Sequence, residues 1–290
     1  MTRMPSWLLR ALPDVGTSKA LNCYLENRRI ETVCRNSRCP NMNECYSSGN
    51  VSFLILGKVC TRRCLYCAVE KGLPEKVRQD EALVVAECVR DLGLRYVVIT
   101  SVTRDDLSDG GAGHYRDVVS AIKALSPLTG VEVLTPDFMG SKDSIDTVIN
   151  SGIEVFAHNM ETVERLYSCV RPEAGYRRSL RVMAYAASLK KAKIKSAFML
   201  GLGEKEEEVL KLMNDIRSTG CDFLTIGQYL RPKNAPLEVT QYIHPDVFAS
   251  FKQTAYEIGF RNVASGPYVR SSYNAEALSK GVNHEKYHIA

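Results

Sequence analysis

Six of the ten cysteines in this 290-residue chain fall between Cys34 and Cys67, in two groups of three. Cys60, Cys64 and Cys67 make a CxxxCxxC run in GKVCTRRCLYCAV. Three thiolates on one tight loop can hold three irons of a [4Fe-4S] cube and leave the fourth iron without a protein ligand, open to chelation by a small molecule. Cys34, Cys39 and Cys45 make a wider triplet, CxxxxCxxxxxC, in VCRNSRCPNMNEC. These spacings do not fit the first loop, so a second cluster is expected, with its fourth ligand drawn from elsewhere in the chain or from a substrate. Zinc is the competing reading of the first triplet, but zinc usually takes four ligands in paired sets and this run supplies an unpaired three. Cys23, Cys88, Cys169 and Cys221 stand alone and carry no metal role; Cys88 and Cys169 fall in helical patterns, where free cysteine behaves as a small buried hydrophobe.

The elements that must position these thiols follow from residue 51 onward, where short apolar β-rich runs alternate with segments of helical period. Strands are expected at 51–57, 95–100, 131–135, 153–158, 194–200 and 223–229, and helices near 80–92, 113–125, 141–150, 162–169, 179–192, 205–217 and 245–258. Ser141 and Thr162 are candidate N-caps, and Gly93, Gly220 and Gly259 candidate stops. Six repeats fall short of a closed eight-stranded barrel. The expected fold is α/β, a partial (β/α)6 TIM-type barrel over 51–260, with an N-terminal extension (1–50) carrying the outer triplet and a C-terminal extension (261–290). In such a fold the loops after the strands converge, here the cysteine loop, VTRDDLSDGGAGH, PDF, HNMET, GLGE and QYLRP.

Composition narrows the functional classes. The chain is 45% hydrophobic and 24% charged, within the range of globular domains. Its net charge of +5 is scattered rather than clustered, which argues against a nucleic-acid stripe and leaves room for an acidic protein partner. The first residues, with Arg3, Arg10, Pro5 and Pro13, lack the apolar core of a signal peptide, and no stretch approaches the ~20 apolar residues of a membrane span. A cytoplasmic, reducing compartment is expected, where cysteines serve metals or catalysis rather than disulfides.

The CxxxCxxC loop after the first strand resembles the radical S-adenosylmethionine superfamily, in which the open iron binds the amino and carboxylate groups of the cofactor's methionine. Both triplets, together with SVTRDDLSDGGAGHY, HNMETVERL, GLGE, TIGQYLRP and SGPYVRSSY, resemble lipoyl synthase from about residue 20 to 280. The resemblance implies two [4Fe-4S] clusters, S-adenosylmethionine, and a fourth ligand to the upstream, auxiliary cluster from the RSSY motif: Ser272, with Ser271 the second choice. It implies a sulfurtransferase that abstracts hydrogen from C6 and C8 of a protein-bound octanoyl chain and fills both positions with sulfur from the auxiliary cluster. The implied partners are an octanoylated carrier domain (glycine-cleavage H protein or a 2-oxo-acid dehydrogenase subunit), an electron donor such as ferredoxin or flavodoxin, and an iron–sulfur carrier that restores the cluster. Leu65, Lys205 and Asn274 depart from the family's usual proline, threonine and histidine, and none is a proposed ligand.

Other residues carry weaker expectations. Asn159 and Glu161 of HNMET stand where they could bind the ribose or methionine part of the cofactor, although Glu161 could equally serve a helix N-terminus. Arg178 could pair with the cofactor carboxylate, with a plain surface arginine as the alternative. The glycines of DDLSDGGAGH could let backbone approach a ligand, or simply make a turn. His114 and His158 read as structural, and Glu204 as a possible helix start. A two-cluster electron carrier would not need unusual residues at every strand exit, and a biotin-synthase-like enzyme would lack the upstream triplet and RSSY.

Overall fold

A computed structural model describes residues 4–9, 15–233 and 235–281; the region around Arg10 and Pro13, Arg3, and the end of the C-terminal extension lie outside them. Along the chain the strands are β1 (Glu31–Thr32), β2 (Ser52–Ile55), β3 (Val59–Cys60), β4 (Glu70–Lys71), β5 (Tyr96–Ser101), β6 (Gly130–Leu134), β7 (Val155–Ala157), β8 (Lys193–Leu200), β9 (Phe223–Gln228) and β10 (Asn262–Gly266). The six expected runs are β2 and β5 to β9. They lie side by side in one parallel sheet of order β1-β2-β5-β6-β7-β8-β9-β10, which does not close. Every residue of β2 and β9 is buried, the polar Ser52, Thr225 and Gln228 included, as in a parallel sheet covered on both faces.

Two strands of this sheet were not legible, nor was the separate two-residue pair β3 and β4. Antiparallel β1 pairs Glu31 with Leu54 and is only two residues long. Parallel β10 reads NVASG, whose small and polar residues carry no strand period, yet it pairs with β9 over its whole length. The sheet is therefore a partial barrel extended by one strand at each edge.

The helices are α1 (Val15–Asn27), α2 (Val33–Asn36), α3 (Met42–Ser47), α4 (Glu81–Asp91), α5 (Ala112–Leu125), α6 (Lys142–Ile149), α7 (Tyr167–Val170), α8 (Tyr176–Ser188), α9 (Glu206–Ser218), α10 (Pro245–Ile258) and α11 (Ala275–Lys280). Helices α4, α5, α6, α8, α9 and α10 pack in succession on the outside of the sheet. Ser141 caps α6 by accepting from the Ser144 amide, and Gly93, Gly220 and Gly259 stand just beyond α4, α9 and α10 as expected. Thr162 is not a cap: its buried hydroxyl has no hydrogen-bond partner, and the chain there forms a 3-10 turn, Glu164–Leu166, before α7. Helix α8 starts at Tyr176, three residues before the expected 179. Among the described residues no helix is long and apolar enough to cross a membrane.

The two extensions are stitched together across the open seam. The Asn41 side-chain amide donates to the Tyr268 carbonyl at 2.6 Å, and the Tyr273 hydroxyl donates to Glu44 at 2.6 Å. Helix α11 then packs against β5 and β10, with Leu278 buried against Val155 and Phe223, the first residues of β7 and β9. Helix α11 thus lies against the starts of β7 and β9.

Candidate active site at the strand exits

The cluster loop begins with a backbone turn that only its surroundings make tenable. Leu56, the residue after β2, has φ +67°, costly for a branched side chain. Its amide donates to the Glu81 carboxylate at 2.8 Å, and its carbonyl accepts from Arg104 at 3.2 Å. His114 holds the same Glu81 oxygen at 2.7 Å. Gly111, itself at φ +91°, faces the Leu56 side chain so closely that a Cβ would meet Leu56 Cδ1 at 2.4 Å. The second glycine of DGGAG therefore admits Leu56, and of its two expected uses the tight turn is the one this geometry fits. His114 is structural, as its hydrogen bond to Glu81 indicates.

This turn delivers Cys60, Cys64 and Cys67 to a cavity of about 330 Å³ at the C-terminal ends of the strands. With the cysteine loop, residues following four of the other five expected strands line it, among them Thr103, Pro136, Asn159, Glu161 and Leu230, as the fold predicts; GLGE, after β8, was expected there and does not line it. Cys60 Sγ accepts from the amides of Arg62 at 3.4 Å and Thr103 at 3.3 Å. Burial raises the Cys64 thiol above its ordinary range against the opposing charge of Arg171, and pushes the Cys67 thiol up to about 12. A cluster held by these thiols would be assembled with loss of their protons.

Cys34 on α2, Cys39 and Cys45 on α3 line a smaller adjoining cavity of about 30 Å³, and Ser272 lines it with them. Ser271 does not. Cys34, Cys39, Arg270 and Ser272 also line the larger cavity, so the two spaces share a wall. Burial, with neighbouring Cys39, pushes the Cys34 thiol up to about 12. Among the described residues no group of three His, Cys, Asp or Glu side chains is arranged to hold a metal ion. The donor sets are those of iron–sulfur chemistry: three thiols on each side, and a hydroxyl oxygen on the outer side.

Asn159 and Glu161 line the larger cavity. Asn159 Nδ2 donates to Glu161 Oε1 at 3.0 Å, and Asn159 Oδ1 accepts from the Ser271 hydroxyl at 3.1 Å. Glu161 sits at φ +67° in the cavity wall, where burial raises its carboxyl above the usual range although Arg171, Asn159 and Tyr66 oppose the shift. It does not begin a helix. Arg178 does not line the cavity: its Nε is held by Asp137 at 2.7 Å and its Nη2 by the Glu173 carbonyl at 2.8 Å. Arg38, Arg62, Arg171 and Arg270 do line it, and of these Arg171, which sequence reasoning missed, is the one bonded to Asn159. Its Nη1 donates to the Asn159 carbonyl and the Tyr167 hydroxyl, both at 2.8 Å, while its buried Nε has no partner. Only its place after α7, facing β7, could have signalled it, and that is a tertiary fact.

Behind Arg171 runs a chain of hydrogen bonds. Tyr167 bonds Ser179 at 2.8 Å, and Ser179 bonds His158 Nε2 at 2.9 Å. His158 Nδ1 faces the Thr135 carbonyl at 2.9 Å, which accepts only, so the neutral ring donates there and accepts from Ser179. His158 is structural in this sense. The Glu204 carboxylate accepts from Gly201 and Leu202 at 2.6 and 2.9 Å, folding GLGE back on itself instead of starting α9. Of the isolated cysteines, Cys88 and Cys221 are buried, whereas Cys23 and Cys169 are exposed; the expectation that Cys169 is buried fails because the one-turn helix α7 buries Tyr167 and Val170 and leaves Cys169 on its outer side.

Residues 54–216 match the family model of the radical SAM superfamily. The lipoyl synthase of Caldanaerobacter subterraneus subsp. tengcongensis is 48% identical over 96% of this chain and 99% of its own length. The chain belongs to the lipoyl synthase family of radical SAM enzymes. Lipoyl synthases of Caldicellulosiruptor bescii and Thermus thermophilus are 49% and 46% identical, each over 94% of this chain and over 94% and 86% of their own lengths. Among solved structures, Streptococcus suis SuiB bound to S-adenosylmethionine aligns over 97% of this chain and 61% of its own, with TM-score 0.58 and 13% identity. Methylornithine synthase (PylB) aligns over 85% and 74%, with TM-score 0.55 and 12% identity. At such identities the structures speak to the family's fold alone, a partial barrel.

Proposed function

We propose that this chain inserts two sulfur atoms at C6 and C8 of a protein-bound octanoyl-lysine, with Cys60, Cys64 and Cys67 holding a reusable [4Fe-4S] cluster and Cys34, Cys39, Cys45 and Ser272 an auxiliary one. The observation that carries this reading is the shared wall: one cavity is lined by the inner triplet and reaches Cys34, Cys39 and Ser272 of the outer set. The bound clusters and S-adenosylmethionine would supply hydrogen abstraction and sulfur donation within that one enclosed space.

The protein's own residues bind, orient and exclude water. Arg171, with an unpartnered Nε turned into the cavity wall, replaces Arg178 as the candidate for the cofactor carboxylate. Asn159 and Glu161 offer polar groups beside it. Leu54, Leu134 and Phe198 line the cavity and suit an eight-carbon chain. Ser272 rather than Ser271 is the auxiliary ligand, since Ser272 lines both cavities and Ser271 is engaged by Asn159. An oxygen ligand binds a soft iron–sulfur centre less well than thiolate, in keeping with a cluster that must be given up. The segment assignment, with the barrel over 51–260 and extensions on either side, rests on the same division of labour.

The carrier is an acidic lipoyl domain, of the H protein or of a 2-oxo-acid dehydrogenase, drawn by the basic chain. A small redox protein as electron donor and an iron–sulfur carrier complete the cycle. Anaerobic reconstitution with iron and sulfide should give roughly eight irons per chain, and turnover with an octanoyl-lysine peptide a mass gain of two sulfurs for two hydrogens. Half that iron in intact protein, or deoxyadenosine without sulfur in the peptide, would overturn the reading.

A further inference from the structure

The two adjacent serines of RSSY both line the larger cavity, but they differ in what else they reach. Ser272 lines the outer cavity with Cys34, Cys39 and Cys45, while Ser271 reaches across 112 residues of sequence to Asn159. An amide has one acceptor end and one donor end. With Oδ1 engaged by Ser271, the Asn159 Nδ2 is turned to Glu161, and its backbone carbonyl is already fixed by Arg171. On either side the C-terminal segment is anchored independently, by Asn41 to the Tyr268 carbonyl and by Tyr273 to Glu44. Any displacement caused at Ser272 is thereby confined to the short stretch that includes Ser271.

Resting on the assignment of Ser272 to the auxiliary cluster, we propose that Ser271 is a positioning residue that couples occupancy of that cluster to the affinity for S-adenosylmethionine. When the cluster holds Ser272, Ser271 is held against Asn159, and the Asn159–Glu161–Arg171 group is set to receive the cofactor. When the cluster has been dismantled, that support is lost and the cofactor binds more weakly. Because coupling between sites is reciprocal, the bound cofactor also favours retention of the intact auxiliary cluster. The consequence is economy: a chain without its sulfur donor binds less tightly the cofactor it would otherwise cleave to no purpose.

The test is equilibrium binding of S-adenosylmethionine to the oxidised protein, without reductant so that no turnover occurs. Four proteins are compared: wild type and Ser271→Ala, each with all cysteines and with Cys34, Cys39 and Cys45 replaced by alanine. In the wild-type background, losing the auxiliary cluster should raise Kd about threefold to tenfold, the range of one hydrogen bond. In the Ser271→Ala background Kd should already be raised and should not change further. No rise in the wild-type background, or an equal rise in both, would overturn the coupling. Should the triple variant fold poorly, Ser271→Thr, which keeps the hydroxyl, should restore the wild-type Kd in fully loaded protein; Ser271→Ala with unaltered affinity would overturn the proposal there. Failure of the underlying assignment shows separately, as a Ser272→Ala protein that keeps its full iron content, because the four-protein comparison removes the cluster through its cysteines.

Discussion

Arg62 of the cluster loop and Asp137 of the PDF segment are joined at 2.6 Å, and both are buried. Asp137 holds Arg178 through its other oxygen at 2.7 Å, and Arg62 also grips Asp105 at 2.7 and 2.9 Å. A single carboxylate thus ties the loop between Cys60 and Cys64 to the exit of β6 and to α8. The arginine expected to bind cofactor serves instead to fix the carboxylate that fixes the loop.

Replacing Asp137 by alanine takes one partner from each of two guanidinium groups, Arg62 keeping Asp105 and Arg178 keeping the Glu173 carbonyl, and should cost about 1.5–3 kcal/mol in urea unfolding of the cluster-free protein. Although burial alone would raise the Asp137 carboxyl, the hydrogen bond and charge of Arg62, with Arg178, hold it well below the ordinary range. A depressed folded pKa contributes stability above the unfolded value of about 4, lost as pH falls below it. The unfolding free energy of Asp137→Asn should accordingly fall less than that of wild type below pH 4.

His158 titrates with the opposite chemistry but the same slope. Burial, reinforced by the charge of Arg171, lowers its pKa from 6.5 to about 4. The unfolded chain then binds more protons between those values, so stability falls as pH drops through that window, by at most about 3 kcal/mol for this group. Denaturant titrations of the apoprotein at pH 7 and pH 4.5 should show the loss, and His158→Gln should remove most of the difference.

At Gly111 a single methyl group tests the cluster-loop turn. Gly111→Ala places Cβ where Leu56 Cδ1 already lies, in a backbone conformation alanine resists, and should cost about 1–3 kcal/mol. The expected result is a lower melting temperature and poorer iron retention in the inner cluster than in the outer.

The two triplets should separate by function. Cys64→Ala should lose S-adenosylmethionine cleavage and keep the outer cluster, whereas Cys39→Ala should still release deoxyadenosine without sulfur insertion, each retaining roughly four irons. Ser272→Ala should behave as Cys39→Ala does, in milder form. Iron analysis alongside deoxyadenosine and peptide mass would expose any variant in which both activities fall together.

By itself the sequence determined what is local: the spacing of thiols on one loop, the apolar runs of six strands, and the caps and stops of helices such as Ser141 and Gly259. Each is legible because a few neighbouring residues share one backbone geometry. It could not show β10, whose NVASG has no pattern of its own and becomes a strand only because β9 offers an edge. Nor could it tell Arg178 from Arg171, or Ser271 from Ser272. Those choices depend on which partner lies across the barrel, Asp137 for one arginine and the cavity for the other, Asn159 for one serine and the outer thiols for its neighbour. Only the tertiary structure decides them, because hydrogen bonds and burial are set by distance in space, and residues adjacent in the chain can reach different partners.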